Sequence, residues 1–304
     1  MNRPSMLASI AHGPVHVRTP KYGATWAFDD LCRHWVPPCA TLDRPYWALL
    51  GGLLARVFLT GRLTVVGADG SFDEGDLPGT QGRVAFAALA LHPSPLGRDQ
   101  LADLVWGDDD LPDAWNAAIN SLVSKIRRLL QGVGLDAKKT LIQMAGSYQL
   151  VLPTDIWIDV EDATRRLDRA EGARRHHDMS TAVSEATVAA AIFRRPFLPG
   201  ADGRWVELVR DRHADMLYRS YEVLSDGWRE NGDAGLGAAI AAKAIELDPF
   251  RESAYRLLMR AEATRGDRAA AILAYRRCRD VLRGELGVEL SPETEAIGRQ
   301  LGRE

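Results

Sequence analysis

The stretch from Asp113 to Leu130, DAWNAAINSLVSKIRRLL, constrains this chain more than any other. Trp115, Ala118, Ile119, Leu122, Ile126, Leu129 and Leu130 recur at steps of three and four, which places them on one face of a helix. The opposite face holds Ala117, Asn120, Ser121, Ser124, Lys125, Arg127 and Arg128, with no carboxylate after Asp113. Short hydrogen-bonding side chains come first and cations later. Asn and Ser reach base edges, and Lys and Arg reach phosphates or guanine, so such a helix suits a DNA major groove. The plainer reading is a solvated helix face, and only the surrounding elements separate the two.

From Val57, the run VFLTGRLTVVGADG reads as two short strands with a turn at Asp69-Gly70, and SFDEGDLPGT as a polar connection. Gln81 to Leu91 is an Ala-rich helix that stops before Pro93, and Arg98 to Trp106 is a second helix. The acidic run Asp108 to Asp110 and Pro112 lie where the third helix starts, and negative charge there favours a helix N-terminus. Thr140 to Leu152 reads as two strands around Ala145-Gly146. Strands, three helices and a hairpin in this order give a winged helix whose third helix enters the groove. The alternative is a small α+β domain with no ligand.

Pro153 to Ile158 reads as a brief linker, and from Asp159 onward the pattern is helical throughout. Asp159 to Ala173 and Met179 to Phe193 have helical spacing with small residues inward, and a long amphipathic helix follows a turn after Phe197. The pair Gly232-Asp233 recurs as Gly266-Asp267, 34 residues later, which is the tetratricopeptide period. Each pair precedes an Ala-rich helix, with Glu252 to Thr264 packing back on the first, and Ala270, Leu273, Ala274 and Tyr275 are expected to interlock in the second. Such helix pairs bury their faces only by stacking. The expected architecture is an α+β winged helix-turn-helix over residues 56–152, followed by an all-α tetratricopeptide-like solenoid over 153–304. Residues 1–55 form an unassigned extension.

Charge limits the nucleic-acid reading. The 304-residue chain carries a net −3; residues 57–152 hold 8 Lys/Arg against 11 Asp/Glu, and residues 153–304 hold 24 against 27. Only residues 1–56 are net positive, with 6 against 3, which makes the extension 1–55 a candidate lid over the groove-facing helix of the acidic domain. DNA binding must therefore come from a local cluster, with modest nonspecific affinity. Three cysteines suit a reducing compartment. Cys32, His34 and Cys39 are three soft ligands with no second pair, so thiols rather than a metal site are expected. The start lacks an apolar run of secretory length, and the run Tyr46 to Thr60 is interrupted by Gly51, Gly52 and Arg56. A cytoplasmic protein without membrane contact is expected. The chain shows no paired carboxylates in a recognisable frame, no Gly-rich phosphate loop and no zinc-helix motif, and His176-His177 diverge on a helix. Neither an enzyme nor a cofactor is expected.

The two halves together resemble the SARP family, the antibiotic regulatory proteins, and the wider group with a bacterial transcriptional activator domain. The first half carries Arg83 before its apolar helix, LADLVWGD, INSLVSKIRRLL, and Ser147-Tyr148-Gln149-Leu150 where the family usually has Gly-Tyr-Arg-Leu. The second carries FRRPFLPG, the Trp205 segment, DPFRESAYRLLMRA and AYRRCRDVLRGELGVELSPETEAI. The resemblance implies an OmpR-like winged helix and a tetratricopeptide-like activator domain. It further implies a transcriptional activator that binds direct repeats in double-stranded DNA, as side-by-side pairs, and recruits RNA polymerase. It assigns base reading to Asn120, Ser121, Ser124 and Lys125, phosphate or base contact to Arg127 and Arg128, and a phosphate contact to Arg83. Ser147 and Gln149 leave the wing without its cation. Lys138 and Lys139 are the candidates to replace that charge, and a solvated loop is the alternative. The competing function is a protein-interaction adaptor whose winged helix is degenerate.

Overall fold

The structure, a computed structural model, describes residues 55–107, 111–153 and 155–303. The extension with Cys32, His34 and Cys39 lies outside the described residues, as do Asp108 to Asp110.

The chain begins as an antiparallel meander of β1 (Ala55–Phe58), β2 (Thr64–Gly67) and β3 (Ser71–Asp73). Ala55, Val57, Val65 and Phe72 point to the core, as the two-residue period of a strand requires. Two expectations change here. The supposed polar connection holds a third strand, because buried Phe72 stands edge-on to Phe86 at 5.7 Å. The supposed linker ends in β7 (Ile156–Ile158), which pairs parallel with β1 and gives the order β3-β2-β1-β7. A three-residue strand is too short to show a period, and its pairing depends on the open edge of β1, which is a tertiary fact.

Helix α1 (Gly79–Leu91) is buried continuously from Val84 to Ala90, and α2 (Arg98–Trp106) and α3 (Trp115–Gly132) pack against it. A helix apolar on all sides belongs in a core. After α3, a single turn α4 (Ala137–Thr140), capped by Asp136, leads into the hairpin of β5 (Leu141–Met144) and β6 (Ser147–Leu150). Its turn residues Ala145 and Gly146 have φ of 47° and 81°, the left-handed pair that a two-residue hairpin turn needs. Strand β4 (Leu96–Gly97), just before α2, joins β6 to complete a second sheet. The N-terminal part is thus a small α+β unit.

The rest is helical: α5 (Asp159–Arg175), α6 (Met179–Phe193), α7 (Arg204–Glu230), α8 (Ala234–Leu247), α9 (Glu252–Thr264), α10 (Arg268–Val281) and α11 (Pro292–Arg303). From α5 to α11 each helix packs on the next, and α5, α7, α9 and α11 also stack side by side, which makes a two-layered solenoid. The repeated Gly-Asp has a physical basis. Gly232 and Gly266 take left-handed φ of 93° and 81°, ending one helix. Asp233 and Asp267 then cap the next, each accepting a backbone N–H at 2.9 Å. The same turn precedes α6, but there His177, with φ of 59°, stands in the glycine's place before the capping Asp178. Leu273, expected to interlock, is exposed, whereas Ala274 is buried as expected and Ala271 and Cys278 face inward beside it.

The two parts dock through a buried carboxylate. Asp159, fully buried at the start of α5, accepts hydrogen bonds from the Leu59 and Thr60 amides at 3.0 Å, the Thr60 hydroxyl at 2.7 Å and the Val160 amide at 2.8 Å. Burial raises its pKa, and these donors oppose the rise. The segment before α7 reinforces the joint: the Gly61 amide donates to the Pro196 carbonyl, and the Arg83 guanidinium to the Pro199 carbonyl.

Candidate nucleic-acid interface

Helix α3 has one buried and one open side. Ile119, Leu122, Val123, Ile126 and Leu130 are buried against the α+β core. Asn116, Ala117, Asn120, Ser121, Ser124 and Arg128 are exposed, and Lys125 and Arg127 are half-buried at the margin. Asn116, Asn120, Ser124 and Arg128 are four apart and form one row along the helix. Asn116 escaped the sequence reading, although that spacing extends the row back to it.

Strand β6 touches this face. The Tyr148 hydroxyl, on β6, donates to Asn120 Oδ1 at 2.8 Å. The contact fixes the Asn120 amide at its oxygen and leaves the NH2 group as the outward donor. The Arg98 guanidinium lies over the Tyr148 ring at 5.8 Å, so Tyr148 ties the start of α2 to α3.

The candidate cations divide into free and engaged groups. Lys125, Arg128 and Lys138 make no ion pair among the described residues. Arg127 directs Nε and Nη2 to the Leu141 carbonyl at 3.1 and 2.8 Å, holding the hairpin to α3. Lys139 lies 3.4 Å from Asp136, whose pKa is lowered chiefly by the Lys139 amide. Arg83 is tied to Pro199 and to the Thr80 hydroxyl, with Glu74 at 3.9 Å, inside the joint between the two parts. Gln149, where the resembled family has a cation, donates to the Pro93 carbonyl at 2.7 Å, and Ser147 is half-buried. The hairpin tip instead exposes Met144. Among the described residues no group of three or more His, Cys, Asp or Glu is placed to hold a metal, and no helix is long and apolar enough to cross a membrane.

A small α+β unit with an open polar helix, joined to a helical solenoid, has counterparts among known proteins. Residues 158–301 match the family model of the bacterial transcriptional activator domain. The transcriptional regulatory protein EmbR of Mycobacterium tuberculosis is 28% identical over 243 residues, covering 73% of this chain and 57% of EmbR. The regulatory protein AfsR of Streptomyces coelicolor is 25% identical over 245 residues, covering 79% of this chain but 24% of AfsR. The solved structure of Mycobacterium tuberculosis EmbR in complex with a low affinity phosphopeptide superposes with a TM-score of 0.76 at 23% identity, over 83% of this chain and 66% of that one. The chain thus spans little more than half the length of its EmbR relative. Its C-terminal part matches the bacterial transcriptional activator domain, and most of the chain is similar in sequence to regulators that include EmbR and AfsR.

Proposed function

We propose that this chain is a transcriptional regulator of the cytoplasm that binds double-stranded DNA through α3. In this reading the α+β unit is a winged helix-turn-helix, α2 and α3 its helix pair and the β5–β6 hairpin its wing. The observation that carries it is the open row Asn116, Asn120, Ser124 and Arg128, flanked by Ser121 and Lys125, whose two cations have no ion-pair partner among the described residues. Asn116, Asn120, Ser121 and Ser124 serve base edges, and Lys125 and Arg128 serve phosphates or guanine. Lys138 adds charge beside the hairpin, and Lys139 a weaker share. Arg127 contributes through Nη1 while it anchors the hairpin, and Arg83 acts in the joint rather than on DNA. The names of the relatives and the activator domain support the wider picture of an activator. It binds direct repeats as side-by-side copies and presents the solenoid to RNA polymerase.

The test starts with selection of bound sequences from random DNA, followed by titration of the enriched site at several salt concentrations. Lys125→Ala and Arg128→Ala should each weaken binding, and each should lower the slope of log affinity against log salt by about one unit. Asn120→Ala should relax preference at one base position, at a cost of about 1–3 kcal/mol. Enrichment with unchanged binding by all three variants excludes α3 as the contact. Failure to enrich any sequence favours the adaptor reading, whose support is the acidic balance of residues 57–152 and a wing glutamine engaged within the chain.

A further inference from the structure

The joint encloses a cleft of about 440 Å³ between the C-terminal end of α1 and helices α5 and α7. Small-molecule sites commonly span roughly 300–1,000 Å³ and combine apolar walls with few polar groups. Leu91 and His92 form the wall on the α+β side. Val160 and Thr164 from α5, and Trp205, Val209 and Met216 from α7, form the other. Trp205 lies 6.1 Å from the His92 ring, and both present flat surfaces. Contributions from both parts of the chain are needed to make the cavity.

Its polar groups are unevenly satisfied. His213 lines the cleft and is 5% exposed, with the rings of Phe193 and Phe197 at 5.4 and 5.3 Å. Its Nδ1 is sealed from solvent without a hydrogen-bond partner, and no hydrogen bond from either ring nitrogen is present among the described residues. Nε2 is not sealed in this way, so an occupant of the cleft can pair with the ring at that nitrogen, and a buried polar ring left unpaired is costly. At the mouth, Arg165 is matched by Glu161 at 3.6 Å and Asp162 at 3.8 Å, whereas Arg212 is exposed and has no ion pair among the described residues. The mouth therefore offers one uncompensated positive charge beside a carboxylate that disfavours a multiply charged anion.

We propose that this cleft binds a small, flat aromatic monocarboxylate that bridges the two halves of the chain. The ring lies along Trp205 and Val209, the carboxylate meets the fork of Arg212, and His213 hydrogen-bonds the occupant from the wall. Burial lowers the His213 pKa to about 4, so the imidazole is neutral and offers a hydrogen bond without a charge. An occupant touching both halves stabilises their docked arrangement by mass action. The site does not depend on what α3 contacts.

Calorimetric titration of the full chain with 1-naphthoate, 4-phenylbenzoate and the neutral 1-naphthalenemethanol tests this. At least one acid should bind one-to-one with a Kd below about 1 mM, and the alcohol roughly tenfold more weakly. Arg212→Glu lies on the surface and should keep its melting temperature while weakening the acid about tenfold. Thr164→Trp, which fills the cleft, should abolish binding, and His213→Phe should weaken it. The proposal is overturned if neither acid saturates below about 1 mM, if the alcohol binds as well as the acids, or if Arg212→Glu and Thr164→Trp bind like the unaltered chain.

Discussion

His213 shows how one side chain can make stability depend on pH. Burial is the main cause of its lowered pKa of about 4, and the neighbouring Arg212 adds repulsion. In the unfolded chain an imidazole titrates near 6.5. Between these values the unfolded state carries the extra proton, so folding stability is full above about 6.5 and falls as pH drops toward 4. The whole interval corresponds to about 3 kcal/mol. The charged and titratable groups around the cleft are Glu161 and Arg165 on α5, Arg212 on α7 and His92 at the end of α1. Urea unfolding between pH 7 and about 4.5 should show a steeper loss in the unaltered chain than in His213→Phe; parallel curves would contradict this account. None of it was legible in the sequence, where His213 is one of 7 histidines. The aromatic rings that enclose it come from two other segments.

The inter-helix turns show what spacing reveals and what it hides at the scale of elements. Gly232-Asp233 and Gly266-Asp267 were readable because each residue has a distinct backbone task, one left-handed and one capping. The third turn keeps the task but not the residue: His177 adopts φ of 59° and Asp178 caps α6. The 27-residue length of α7 also breaks the period. A non-glycine residue in this region carries a strain of about 1 kcal/mol. His177→Gly should therefore stabilise the chain by about that amount, read as a higher urea midpoint, and Gly232→Ala should destabilise it similarly. Helix α3 was legible because its apolar stripe is continuous, and its limits moved by only two residues at each end. Strands β3 and β7 were not, since three residues carry no usable period.

Across the whole molecule, Asp159 decides whether the two parts act as one body. Three amides and one hydroxyl converge on its carboxylate, and Asp159→Ala would leave those donors buried without an acceptor. At about 1–3 kcal/mol for each unpaired buried group, the loss should be several kcal/mol, and Asp159→Asn, which retains an acceptor oxygen, should lose less. Because the Leu59 and Thr60 donors lie in one half and the helix in the other, the alanine variant should also separate calorimetric unfolding into two transitions. A single transition at an unchanged temperature would mean that the apolar contacts alone hold the joint.

The amino-acid sequence by itself determined the helices, the order of the two parts and the polar row of α3, because those depend on periodicity and on capping chemistry within a few residues. Tertiary structure decided which charges remain free. The resemblance implies DNA contacts for Arg127 and Arg83, and in the folded chain carbonyls of Leu141 and Pro199 engage nitrogens of both guanidinium groups. It also created the joint and its cleft, since Asp159 and Trp205 meet Leu59 and His92 from the other half of the chain, and His213 meets rings of the preceding helix and turn. Hydrogen bonds and burial act over a few ångströms, and only the folded chain brings such groups that near.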